Sequence, residues 1–174
     1  MRRYIYFVFL LCCAVNLLLT SCVRQKYVVM DMVHHNPGEA MTESKFLDPS
    51  FLKKNEYGAK VFFLFEAAQF GIDWKSFDPS LFPDTTEAGR WVAEKAEIIH
   101  KKYDAAKKED LQVYCMLDML VLPSLLVEKH RTELTNEQGK LDISKPYTQL
   151  CIRELMKEMF ETFPQLDGLV IRTG

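Results

Sequence analysis

Apolar residues are distributed along this chain in two textures, short runs that are apolar on every side and longer stretches in which apolar positions return every three or four residues. "YVVMDMVHHNPGE" (27–39) begins with strand-favouring residues and ends in the breaker Asn36-Pro37-Gly38, so it reads as a strand leading into a polar loop. "AKVFFLFEAAQFGIDW" (59–74) and "LQVYCMLDMLVLP" (111–123) open with continuous apolar runs, the pattern of strands covered on both faces, as parallel strands are. "DGLVIRTG" (167–174) adds a turn and a fourth strand.

Helical periodicity fills the gaps. Asp84 and Glu87 stand at capping-box spacing, after which Ala88, Val92, Ala96, Ile99, Tyr103 and Ala106 share one face, and the run predicts a helix to about Lys108. Glu94, Lys95, Lys101, Lys102 and Lys107 lie on its other face, which reads as solvated surface. A second long helix is expected from Pro146 to the residue before Pro164, with Ile152, Leu155, Met156, Met159 and Phe163 on one side. "FLDPSFLKKNEYG" (46–58) suits a shorter helix, and the polar stretch 128–142 reads as a surface insertion or loop.

The predicted order is therefore β, short α, β, α, β, α, β, with each gap long enough for the crossover that parallel pairing requires. Two architectures fit: the first four β/α units of a (β/α)8 TIM barrel, or a small open parallel α/β sheet. Four such units occupy about 150 residues and eight need roughly 250 or more, so the barrel reading implies an incomplete chain.

The N-terminus changes the picture. Met1-Arg2-Arg3 is positive, Tyr4 to Leu19 is apolar apart from Asn16, and Leu19-Thr20-Ser21-Cys22 closes the segment with small residues before a cysteine. This pattern is a secretion signal and resembles a bacterial lipoprotein signal. The resemblance implies a signal peptide over 1–21, lipidation of Cys22, a tether over 22–26 and a domain over 27–174. The residues after Cys22 are basic rather than acidic, which favours a lipid-anchored protein of the bacterial envelope facing the periplasm over one on the cell surface. Cys12 and Cys13 leave with the signal, so the mature chain keeps Cys115 and Cys151, expected as buried free thiols.

A net charge of -2 and the lack of a basic patch interleaved with aromatics give no reason to expect nucleic acid. Metal-binding CxxC and HExxH spacings do not occur, and neither do GxGxxG, GxxxxGK[ST] or GxSxG. No metal or other cofactor is implied. Chemistry that needs carboxylates and aromatic platforms rather than a short motif, as carbohydrate chemistry does, passes this filter.

In either architecture, binding groups collect at the carboxyl ends of the strands. There the first strand offers Asp31, His34, His35, Asn36 and Glu39; the second Glu66, Gln69, Asp73 and Trp74; the third Asp118; the fourth Arg172 and Thr173. Asp31 and Asp118 lie inside apolar runs, where an unpaired carboxylate is expensive, so each is expected to be paired or to face a site. His34 and His35 are adjacent on a strand and point to opposite faces, so at most one faces a given site directly. Glu66 reads either as an acidic site residue or as half of a structural ion pair, and Trp74 as a sugar-stacking platform or a core aromatic.

"DMVHHNPGE", "FEAAQFGIDW" and "FPQLDGLVIRTG", in that order behind a lipoprotein signal, resemble the N-terminal half of TIM-barrel glycoside hydrolases secreted by Bacteroidota, of the α-glucuronidase and β-hexosaminidase kind. The resemblance covers residues 27–174. It implies a carbohydrate substrate, catalytic carboxylates beyond Gly174, and substrate-positioning roles for His34, His35, Glu39, Glu66, Asp73, Trp74, Asp118 and Arg172. Arg172 would suit a sugar carboxylate, or would orient an acid through a bidentate pair. A half-barrel would also self-associate through its unpaired sheet edges. The competing reading is a non-catalytic envelope lipoprotein that binds sugars or another envelope protein.

Overall fold

A computed structural model of the chain describes residues 29–31, 45–63, 66–118 and 120–172. His34, His35, Glu39, Cys22 and Thr173 lie outside the described residues. The described elements are β1 (Met30–Asp31), a 3₁₀ turn (Lys45–Leu47), α1 (Pro49–Lys54), β2 (Ala59–Phe62), a second 3₁₀ turn (Ala68–Phe70), α2 (Glu87–Lys108), β3 (Gln112–Asp118), α3 (Ser124–Lys129), α4 (Arg131–Leu134), α5 (Pro146–Thr162) and β4 (Gly168–Arg172). The fold is α/β with a small, open, parallel sheet.

The four strands run in the order β1-β2-β3-β4, all parallel. Each new strand joins the same edge of the sheet. Right-handed crossovers that always extend one edge place their helices on one face. Register then separates the faces, because paired residues of parallel strands share a side. Phe62, Cys115 and Leu169 are in register, and all three belong to or pack against the main core. Val113 and Leu117 share their side of β3 and the core with them. On the opposite face stand Val61, Tyr114 and Gly168, then Met116 with Val170, then Asp118 with Arg172. Val61 is buried yet lies outside the core cluster, whereas Tyr114, Met116 and Val170 are only half-buried.

Local chemistry sets the helix ends. α2 is capped by Thr86, whose Oγ1 accepts from the Gly89 N–H at 3.0 Å, rather than by the expected Asp84 and Glu87 pair. Glu87 in the first turn and Lys107 and Lys108 in the last complement the helix dipole. α5 starts on Pro146, whose missing N–H costs nothing in a first turn, and stops at Phe163, ahead of Pro164. α1 has Pro49 in its first turn behind Asp48, which accepts from the Ser50 N–H at 2.9 Å.

Two further sequence expectations change. Ala88 is exposed and Gly89 takes the buried position, where a Cβ would lie 2.2 Å from the Pro83 carbonyl oxygen. The stretch 128–142 is not simply a loop. It holds the end of α3 and all of α4, closed by an antiparallel bridge between Thr135 and Leu141. Buried Leu126 and Leu134 anchor it, and helices this short leave no periodicity to read.

The core lies between the sheet and α2 and α5. Ile99, Tyr103 and Ala106 of α2 share one buried cluster with Cys151, Leu155 and Met159 of α5 and with Phe163. Tyr103 and Phe163 pack edge to face at 5.6 Å. Gly71 passes so near this cluster that a Cβ would stand 2.6 Å from the Phe163 ring and 3.0 Å from the Ala96 backbone. Cys115 and Cys151 are buried and free. Burial pushes both thiols up, Cys151 to about 11, which keeps them protonated and inert near neutral pH.

Candidate functional site

The carboxyl ends of β3 and β4 bring together two of the expected residues. Asp118 and Arg172 are register partners on the face away from the helices. Their side chains form a fork: Arg172 Nε donates to Asp118 Oδ1 at 2.6 Å and Nη2 donates to Oδ2 at 2.5 Å. The Arg172 guanidinium holds the Asp118 carboxyl below its ordinary range, and the carboxylate in turn raises Arg172. Asp118 is therefore an anion near neutral pH and unsuited to donating a proton. Its chemistry is to fix the guanidinium plane. Arg172 remains well exposed, and among the described residues its Nη1 has no hydrogen-bond partner. That edge can receive a carboxylate or a polarised hydroxyl.

The other described candidates point elsewhere. Glu66 follows β2 but turns toward α2, pairing with Lys102, while its backbone carbonyl accepts from the Tyr103 hydroxyl at 2.9 Å. It is the structural half of an ion pair. Asp73 accepts from the Lys75 N–H at 3.0 Å and pairs with its ammonium at 3.0 Å, and Lys75 reaches Asp84 at the same distance. These charges cross-brace the loop ahead of α2.

Trp74 takes the core alternative. It adopts φ 58°, an uncommon conformation for a bulky residue, which turns the chain sharply and drives the indole into the core at 1% exposure. Its ring lies 6.0 Å from Phe77. A side chain so covered is no open platform for a sugar ring. Asp31 is described only as a β1 position in register with Lys60.

Two features escape the sequence reading. Glu158, on the inward side of α5, is buried and accepts from Ser76 Oγ at 2.5 Å, and no local pattern announces a partner 82 positions away. Trp91 lies off the apolar stripe of α2 and is 42% exposed. An aromatic on the polar side of an amphipathic helix was the available signal.

Comparison of the chain with protein-family models, with curated proteins and with solved structures finds no match. Among the described residues, no group of three or more His, Cys, Asp or Glu is placed to hold a metal ion, and no helix is long and apolar enough to cross a membrane.

Proposed function

We propose that this chain supplies the first four β/α units of a carbohydrate-cleaving barrel, held at the bacterial envelope by lipid on Cys22 and facing the periplasm. The observation that carries the reading is the strictly sequential parallel order β1-β2-β3-β4, with the Asp118–Arg172 fork on the face opposite the core that α2 and α5 share. Open doubly wound sheets reverse their strand order at a switch point, whereas barrels add every strand at the same edge. In a barrel that face becomes the interior, filled by side chains such as Met116 and Val170, and the carboxyl ends of the strands become the rim of the site.

In this reading Arg172, oriented by Asp118, positions an acidic sugar or a catalytic carboxyl. The resemblance also assigns substrate positioning to His34, His35 and Glu39, which lie outside the described residues. The carboxylates that cleave the bond come from further β/α units. The test is hydrolysis of aryl glycosides and aryl glycuronides by a product in which this chain is followed by the further β/α units that the reading requires. Arg172→Gln should lower kcat/KM by roughly 10²-fold, in line with the loss of a charge-assisted contact, and activity unaffected by the change would refute the assignment.

A second reading is a non-catalytic envelope lipoprotein that binds sugars or another envelope protein. The continuous core between the sheet and α2 and α5 favours it, since that core is closed by this chain alone. The two readings part in solution. A half-barrel freed of its signal should self-associate through its uncovered face and strand edges. The second reading requires a monomer that unfolds in one cooperative step.

A further inference from the structure

Gln165 lies in the turn between α5 and β4 and reaches back to α2. Its Nε2 donates to Asp104 Oδ1 at 2.6 Å and stands 3.3 Å from His100 Nδ1. An ionised carboxylate only accepts, so the amide group facing Asp104 is the nitrogen, and its second hydrogen is left for His100. That assigns the tautomer: Nδ1 of the neutral imidazole accepts, and the ring proton is on Nε2. Gln165 Oε1 is buried with no hydrogen-bond partner, so the amide is held through Nε2 alone. The imidazole itself packs against the Phe163 ring at 4.6 Å.

We propose that Gln165, His100 and Asp104 form a pH-sensitive latch that holds the α5–β4 turn on α2 while His100 is neutral. Protonation places a hydrogen on Nδ1, and two donors then face each other across 3.3 Å. Flipping the amide gives no relief, since its oxygen would then face the Asp104 carboxylate. The imidazolium takes Asp104 for itself, four residues along the same helix, and Gln165 is released. The other charged groups in the groove beside His100 are Glu97 and Lys101 of α2 and Asp73, Lys75 and Asp84 of the loop before it. These bind one another, Lys101 with Glu97 at 2.5 Å and Lys75 with Asp73 and Asp84 at 3.0 Å. The end of α5 contributes Thr162 and Phe163, which do not titrate. The closed latch binds one proton fewer than the open one, so it is present above the imidazole range and lost as pH falls through it. Release is local. Asp167 still accepts from the Val113 N–H at 2.6 Å and donates its own N–H to the Val113 carbonyl at 2.8 Å, which keeps β4 in register. The inference does not depend on the carbohydrate reading.

Amide hydrogen exchange of the full chain reads the latch directly. Leu166, next to Gln165 in the turn, donates its N–H to the Phe163 carbonyl at 3.0 Å. Its protection factor should fall about fivefold between about pH 8 and about pH 5, the effect of losing one hydrogen bond, while that of Asp167 stays constant. His100→Phe keeps a ring against Phe163 but takes no proton, and should abolish the fall. Asp104→Asn lets the Gln165 amide turn its oxygen toward a protonated His100, and should abolish it too. A constant value for Leu166 in the unmodified chain, a parallel fall at Asp167, or a fall that survives either variant would each overturn the proposal.

Discussion

The two faces of the sheet are made from the same strands and have opposite surroundings. On β3 the residues toward the helices, Val113, Cys115 and Leu117, are at most 3% exposed, whereas their neighbours Tyr114, Met116 and Asp118 are only half-buried. The first set packs against α2 and α5. On the second side the Tyr114 ring lies over Gly168 so closely that a Cβ there would stand 2.8 Å from it, and Asp118 pairs with Arg172. Burial is therefore concentrated on one side of the sheet, and the Asp118–Arg172 fork stands on the other.

The largest expected effect comes from truncating neighbours on the two faces. Leu117→Ala should destabilise the chain by about 2–5 kcal/mol, the usual cost of emptying a packed site, whereas Met116→Ala should cost less than about 1 kcal/mol. Urea unfolding of the two variants measures the contrast. In a product extended to a closed barrel the Met116 cost should rise toward that of Leu117, so equal costs in both contexts would argue against closure over this face.

Next in size is Gly71→Ala. The added methyl meets the Phe163 ring and the Ala96 backbone, and overpacking of this kind costs about 1–3 kcal/mol. Gly139, with open space around its Cβ position but φ +76°, should show a backbone penalty without the steric one. If Gly71→Ala proved neutral, the helix-side core would be looser than its packing implies.

The smallest effects are electrostatic and should separate the faces by pH. Hydrogen bonds from Lys129 and Ser80 lower the Asp78 carboxyl from 3.8 to about 2. A depressed carboxylate stabilises the fold above its unfolded pKa and loses that contribution as pH falls through its folded pKa. The melting-temperature gap between the unmodified chain and Asp78→Asn should therefore be constant above about pH 5 and shrink progressively as pH falls from there through about 2. Asp118 is also lowered, by Arg172, but the fork is solvent-facing and salt screens such pairs. Asp118→Asn should shift the melting temperature less than Asp78→Asn, and the shift should shrink further in 1 M salt. A larger shift for Asp118 would mean that its face is covered in solution.

Much of this architecture was legible in local pattern. Continuous apolar runs marked β2, β3 and β4, and a 3.6-residue period marked α2 and α5, because burial imposes itself at the spacing of the element that is buried. The Thr86 cap, the small helices α3 and α4 and the inward Glu158 were not legible, since a cap depends on one side-chain rotamer and a short helix offers too few turns to show a period. At the site, Arg172 was recognisable as a residue suited to a bidentate pair, and Asp118 as a carboxylate in need of a partner.

What the sequence determined by itself was the order of elements, the parallel character of the sheet and the polar endings of its strands. Tertiary structure decided which of those endings pair with each other. Glu66 and Asp118 both follow apolar strand runs, yet one is drawn to Lys102 on α2 and the other to Arg172 on β4. Pairing across 54 positions is set by strand register, and a slip of one residue would turn every side chain of β4 to the other face. Trp74 owes its burial to a single left-handed turn of the backbone. Such choices are made by the packing of distant segments, and no local spacing of residues contains them.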